Sequence, residues 1–99
     1  MNDKVISAGN VAVITGAAKG IGAAAARELA QKGMKLCLFD RNSQALEQLA
    51  GELEAETLLI TGDITRDEDQ KQLRDTVYSV WGKVNLLFNN AGVKIAAGA

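Results

Sequence analysis

The stretch VAVITGAAKGIG, residues 11–22, constrains the fold more than any other part of the chain. A short apolar run, Val11-Ala12-Val13-Ile14, ends at Thr15 and breaks at once into a loop punctuated by Gly16, Gly20 and Gly22. Four consecutive alanines, Ala23 to Ala26, follow and favour helix. Strand, glycine turn and helix start form a geometry that presents backbone N–H groups and the positive end of a helix dipole to a phosphate. The glycines have separate jobs: one permits the tight turn, another lets a ligand approach the backbone, and the third lets helix and strand pack closely. Gly20-x-Gly22-x-x-Ala25 also fits G-x-G-x-x-G/A, but that register begins well past the strand. Gly16 stands where the turn needs its glycine, so the motif reads T-G-x-x-x-G-x-G. A P-loop is excluded, because five residues after Gly16 comes Ile21 rather than the Gly-Lys-Ser/Thr that holds a triphosphate.

The rest of the chain repeats this alternation. Residues 1–10 read as a lead-in with a turn at Gly9-Asn10, and residues 11–15 as a strand that is apolar on both faces. A helix over 21–32 is predicted to carry Ile21, Ala25 and Leu29 on its buried stripe and to stop at Gly33. Residues 35–40, KLCLFD, form a second strand in which Cys37 packs as a small hydrophobe. Asn42 or Ser43 caps a second helix with Leu46, Leu49, Ala50 and Leu53 at helical spacing. TLLIT, residues 57–61, is a third strand, and Thr65-x-x-Glu68 reads as a capping box opening a third helix. Along it Leu73, Val77, Val80, Trp81 and Val84 keep roughly helical spacing, with Tyr78 and Trp81 as packing aromatics. Residues 84–88 are a fourth strand running into Asn89-Asn90-Ala91-Gly92, and residues 93–99 read as a loop. A β-α-β-α-β-α-β order predicts an α/β fold: a parallel sheet with right-handed crossovers and helices on both faces. With 99 residues there is room for one domain, 1–99.

Composition removes several functions. A net charge of −1 with interspersed acids and bases points to neither nucleic acid nor a membrane surface. No apolar run approaches the ~20 residues that span a bilayer, and the N-terminus lacks the layout of a signal peptide. The single cysteine, Cys37, makes neither a disulfide framework nor a thiolate metal cage, and histidine is absent. The expected location is the cytoplasm, and no metal site is expected.

Asp40 closes the second strand roughly 20 residues beyond the glycine turn, where a dinucleotide-binding fold places the acid that accepts hydrogen bonds from the adenosine ribose. With TGAAKGIG at residues 15–22, Asp40, Gly62-Asp63-Ile64-Thr65 and Asn89-Asn90-Ala91-Gly92 in that order, the chain resembles the short-chain dehydrogenase/reductases from about Val11 to Gly92. The resemblance implies a Rossmann-like sheet of strand order 3-2-1-4, the first half of a doubly wound domain. It implies that Gly16, Lys19, Gly20, Ile21 and Gly22 line the pyrophosphate and adenosine ribose, with Asp40 and the adjoining Arg41 at that ribose. It implies that Asp63 and the Ile64 backbone meet the adenine, and that Asn90, Ala91 and Gly92 flank the cofactor while also bracing the sheet.

The implied cofactor is NAD, with NADP possible. Like charges ~4 Å apart repel by roughly 4 kcal/mol at an effective dielectric near 20, so Asp40 opposes a 2′-phosphate. Lys19 and Arg41 offset this by only about 0–1 kcal/mol each as exposed ion pairs. The family's chemistry is hydride transfer between nicotinamide and a carbonyl or alcohol carbon, carried by Ser, Tyr and Lys residues that lie after the NNAG segment. Tyr78 does not fit the Y-x-x-x-K pattern, because Gly82 stands four residues on, so no catalytic residue is assigned. The expectation is therefore the N-terminal cofactor-binding portion of a longer reductase, inactive by itself, that pairs with a second copy through the bare edge of the fourth strand. A non-catalytic nucleotide-binding module and an S-adenosylmethionine-dependent transferase remain alternatives.

Overall fold

The computed structural model describes residues 5–90, so Ala91, Gly92 and the expected loop over 93–99 lie outside the described residues. Strands β1 (Val11–Thr15), β2 (Lys35–Asp40), β3 (Thr57–Thr61) and β4 (Leu86–Asn89) alternate with helices α1 (Gly20–Gln31), α2 (Ser43–Glu52) and α3 (Asp67–Trp81). The strands make one parallel sheet of order β3-β2-β1-β4, the architecture and order expected. Register sets Thr15 beside Phe39 and Asn89, and Asp40 beside Thr61, so the loops that follow β1, β2 and β3 converge at one end of the sheet.

Alternation along the central strands feeds two cores. Ala12, Ile14, Leu36 and Leu38 face α1 and α2 and pack with Ala23, Ala26, Leu29, Ala30, Leu46 and Leu49. Val11, Val13, Cys37 and Phe39 face the other way, toward Ile60, Ile64, Leu73 and Val77. Each large aliphatic side chain buried in this way contributes about 1.5–3 kcal/mol, which is what holds a helix on each face. Gly33 and Gly82 end α1 and α3 at φ of 81° and 72°, left-handed conformations that suit glycine.

Four local expectations are corrected. The buried face of α1 is Gly22, Ala23, Ala26, Leu29 and Ala30, whereas Ile21 is 69% exposed and Ala25 only half-buried. The Thr65–Glu68 capping box does not form: the Thr65 hydroxyl donates to Asp63 Oδ1 at 2.6 Å, and α3 begins after Arg66 with no side-chain cap. Tyr78 and Val80 lie on the outer surface of α3, whereas Trp81 packs against the second core as expected, with its indole N–H donated to Glu56 at 2.7 Å. β4 begins two residues late, because the Asn85 side chain takes the Val11 N–H at 2.8 Å where a strand carbonyl would otherwise pair. Asn42, by contrast, does cap α2, accepting the Ala45 N–H at 3.0 Å.

Cys37 is fully buried, and burial pushes its thiol up from 9.0 to about 12. A thiol-specific disulfide reagent at pH 8 should leave it untouched in the native chain and label it completely in denaturant; rapid native labelling would contradict this packing. Because the folded thiol ionises only near 12 and the unfolded one near 9.0, unfolding releases a proton above that lower value. Stability should accordingly fall as pH rises beyond about 9.

Candidate nucleotide-binding site

The site begins where β1 ends. Gly16 and Gly20 adopt φ of 62° and 60°, which turn the chain sharply out of the strand and into α1. Two amides of the loop are closed by β2: Ala17 N–H donates to the Phe39 carbonyl at 3.1 Å and Ala18 N–H to Asp40 Oδ2 at 3.0 Å. The first helical amide with an acceptor among the described residues is that of Ala23, on the Lys19 carbonyl at 3.4 Å. Among the described residues, the N–H groups of Gly20, Ile21 and Gly22 at the start of the helix are thus left without an acceptor, fewer donors than the whole loop would offer.

Charge distinguishes this helix start from that of α3, and the start of α2, which also lacks acids, is closed instead by the Asn42 side chain. The first turn of α1 holds no acidic residue, so its partial positive charge is uncompensated, and the exposed Lys19 precedes it. The first turn of α3 carries Asp67, Glu68 and Asp69, which offset its dipole. Of the two, α1 is the end that favours an anion.

Gly22 has a different job from its neighbours. A Cβ placed there would sit on the Gly16 carbonyl oxygen and 2.9 Å from Asn90 Nδ2. Asn90 in turn donates to that carbonyl at 3.2 Å, and the Thr15 hydroxyl donates to Asn89 Oδ1 at 3.0 Å. Loop, helix and the end of β4 thus lock at one point.

Beyond the loop, a recess of about 320 Å³ is bounded by Gly16, Lys19, Asp40, Arg41 and Ile64, five of the residues singled out from sequence. It also uses Phe39 and Asn42, read from sequence only as a strand residue and a helix cap, and Gly62, read only as part of the Gly62–Thr65 motif. Gly62 lies against Phe39, since an added Cβ would fall 2.9 Å from Phe39 Cζ. Asp40 is held by two backbone donors, Ala18 N–H on Oδ2 and Asn42 N–H on Oδ1 at 3.1 Å. A carboxylate has about four lone-pair sites, so roughly half its accepting capacity remains. Asp63 stands beside the recess: its Oδ1 accepts the Thr65 hydroxyl and the Thr65 N–H at 2.9 Å. Those bonds, the hydroxyl's first, hold its carboxyl below the usual 3.8. Exposed Ile21 borders the helix start, Asn90 lies on the far side of Gly16, and Ala91 and Gly92 lie outside the described residues.

A larger groove, about 640 Å³, opens at the opposite end of the sheet between the C-terminal ends of α1 and α2. Its Arg27 is already paired with Glu52 at 3.0 Å and no helix N-terminus points into it, so it lacks the donors for a phosphate. Among the described residues no cluster of metal-ligating side chains occurs, and no helix is long and apolar enough to cross a membrane.

Comparison with known proteins agrees with this fold. The family model described as short chain dehydrogenase matches residues 10–99. An uncharacterized oxidoreductase of Listeria monocytogenes is 41% identical over 86 residues, covering 84% of this chain and 35% of the relative. Human 15-hydroxyprostaglandin dehydrogenase [NAD(+)] is 44% identical over 93 residues, covering 86% of this chain and 34% of the enzyme. Among solved structures, a short-chain dehydrogenase/reductase from Burkholderia phymatum in complex with NAD superposes with a TM-score of 0.78 at 38% identity, covering 81% of this chain and 30% of that one. A metagenomic short-chain oxidoreductase in complex with NADP gives 0.84 at 33% identity, covering 89% and 41%. The chain spans about a third of the length of the curated relatives it matches.

The crowding at Gly22 yields a signed pair of outcomes. Gly22→Ala should cost about 2 kcal/mol and lower Tm by roughly 10 °C, as overpacking against backbone does. Gly51→Ala, in α2 where an added Cβ meets nothing within 4 Å, should raise stability by up to about 1 kcal/mol. Thermal unfolding of the two variants checks both signs, and equal effects would refute the packing role of Gly22.

Proposed function

The chain belongs to the short-chain dehydrogenase family, and on that premise we propose that it is the part of an oxidoreductase that binds a nicotinamide dinucleotide. One observation carries the reading: Lys19, the N-cap of a helix whose first turn holds no acid, and the strand-end carboxylate of Asp40, bound to the same glycine loop, line one recess. The amides of Gly20, Ile21 and Gly22 suit a pyrophosphate. Asp40 suits the ribose hydroxyls next to it, since its remaining lone pairs accept from both. Gly62 and Ile64, backed by Phe39, offer a flat apolar wall of the kind an adenine fills. The residues present fit the group: an added Cβ at Gly20 would meet nothing within 4 Å, so the approach to the helix start is open.

When bound, a nicotinamide dinucleotide supplies the hydride acceptor or donor for a carbonyl or alcohol substrate. This chain's own residues bind and orient its adenosine diphosphate portion, and we assign none of them to the chemical step. We further propose that the protein works in the cytoplasm, where a lone buried thiol such as Cys37 suits the reducing environment. We propose, too, that the chain self-associates along β4. Among the described residues that strand pairs on one side only, and its Leu87 is 47% exposed.

NAD is preferred over NADP because the Asp40 carboxylate opposes a 2′-phosphate. Asp40→Ser should shift the ratio of NAD to NADP affinity toward NADP by at least about tenfold, or roughly 1.4 kcal/mol. Isothermal titration of wild type and variant with both dinucleotides measures it. An unchanged ratio would sink the ribose assignment, and absence of binding by either dinucleotide to the wild type would sink the nucleotide reading.

A further inference from the structure

We propose that Asp69 and Gln70, neighbours at the start of α3, are positioning residues that clamp the Gly62–Ile64 strip into the shape an adenine base meets; this rests on the nucleotide reading above. The two side chains grip the strip with opposite polarity. Asp69 Oδ2 accepts the Asp63 N–H at 2.7 Å, and Gln70 Nε2 donates to the Ile64 carbonyl at 2.7 Å. Gln70 is 8% exposed, and its bond to the Ile64 carbonyl is buried. Asp69 lies close enough that a Cβ at Gly62 would fall 3.1 Å from its Oδ2.

Acids in a first helical turn commonly do no more than offset the dipole, and Asp67 and Glu68 fit that description because both are exposed. Asp69 and Gln70 differ in turning inward. A carboxylate on a backbone amide is a charge-assisted bond, about twice as strong as a neutral one. The helix that carries both residues is anchored in the core by Leu73 and Val77, so the clamp has a rigid base.

The result is selective. Gly62 N–H donates to the Asp40 carbonyl at 3.1 Å, Asp63 N–H to Asp69, and Thr65 N–H to Asp63 Oδ1 at 2.9 Å. Of the consecutive amides from Gly62 to Thr65, the Ile64 N–H alone lacks an acceptor among the described residues. Ile64 also lines the recess. Holding its carbonyl through Gln70 and its neighbour's amide through Asp69 fixes the peptide planes on which the direction of that N–H depends. An acceptor nitrogen on a flat base is the ligand group this donor suits.

The test is nuclear magnetic resonance on the 15N-labelled full chain, with AMP as the adenine probe and nicotinamide mononucleotide as the control. In Asp69→Ala the Asp63 amide should lose its hydrogen-exchange protection and its downfield shift, and AMP should bind about tenfold more weakly. Nicotinamide mononucleotide affinity should not change. Asp69→Asn, which keeps an accepting oxygen, should restore AMP binding to within about threefold of wild type whatever its effect on Tm, and so distinguishes positioning from lost stability. If Asp69→Ala does not fold, Gln70→Met carries the same AMP expectation through the Ile64 carbonyl. Unaltered AMP affinity in a folded variant whose Asp63 amide has been freed would overturn the clamp. Failure of the wild type to bind AMP would instead overturn the nucleotide reading, while the Asp63 amide still reports whether Asp69 holds it.

Discussion

Everything at the carboxyl end of this sheet depends on how closely the Gly16 carbonyl approaches α1. That approach leaves no volume for a side chain at position 22, and Asn90 closes the same point from β4. The tight contact continues along the helix, whose buried face is mostly alanine: Ala23, Ala26 and Ala30. Small residues let the helix axis lie near β1 and β2, so α1 starts directly above the strand ends. Were the helix a side chain's width further out, its N-cap Lys19 would no longer line the recess with Asp40. Packing density, rather than any ligand, thus explains at least one of the glycines in the loop.

Electrostatics then divides the labour among the helix starts. α1 keeps its positive end bare, whereas α3 covers its own with three acids and turns one of them, Asp69, back onto the preceding loop. The same device appears twice, since Asp40 also spends part of its carboxylate on a backbone amide of the neighbouring loop. Asp40 thereby ties the connection after β1 to the end of β2, whereas Asp69 ties the loop after β3 to the helix it leads into. Loops carry no ladder of their own, and such bonds order them without occupying every lone pair.

How legible this was in the sequence varies with the kind of contact. The strands are readable because short apolar runs bounded by glycine breaks are strong local signals, and their order because the motifs resemble a family with that order. The buried face of α1 was misread for a physical reason: with alanine at nearly every position, apolar periodicity has no contrast, and bulky Ile21 drew the assignment although it points outward. The capping box failed because Asp63, two residues before Thr65, competes successfully for the same hydroxyl. Tyr78 was taken for a packing aromatic because helical spacing alone does not say how far the sheet extends beneath α3. Asp40 and the glycine loop were found because their spacing is itself the signal. Phe39, Asn42, Gly62, Asp69 and Gln70 join the site through loop shape and backbone hydrogen bonds, which no spacing rule encodes.

Solved relatives carry NAD in one case and NADP in another, and Asp40 bears on which of the two suits this chain. A count of nearby charges does not decide it here, because Lys19 and Arg41 supply two cations against one carboxylate. Exposure decides. Both cations are exposed, and each contributes only about 0–1 kcal/mol to a pairing at the surface. The carboxylate is pinned through both oxygens, to Ala18 N–H and Asn42 N–H. Swinging it aside to admit a 2′-phosphate would break two hydrogen bonds to a charged group, each contributing about 1.5–3 kcal/mol. Leaving it in place incurs a repulsion of roughly 4 kcal/mol. Either route exceeds what two exposed surface cations return, and that imbalance is the physical ground for proposing NAD.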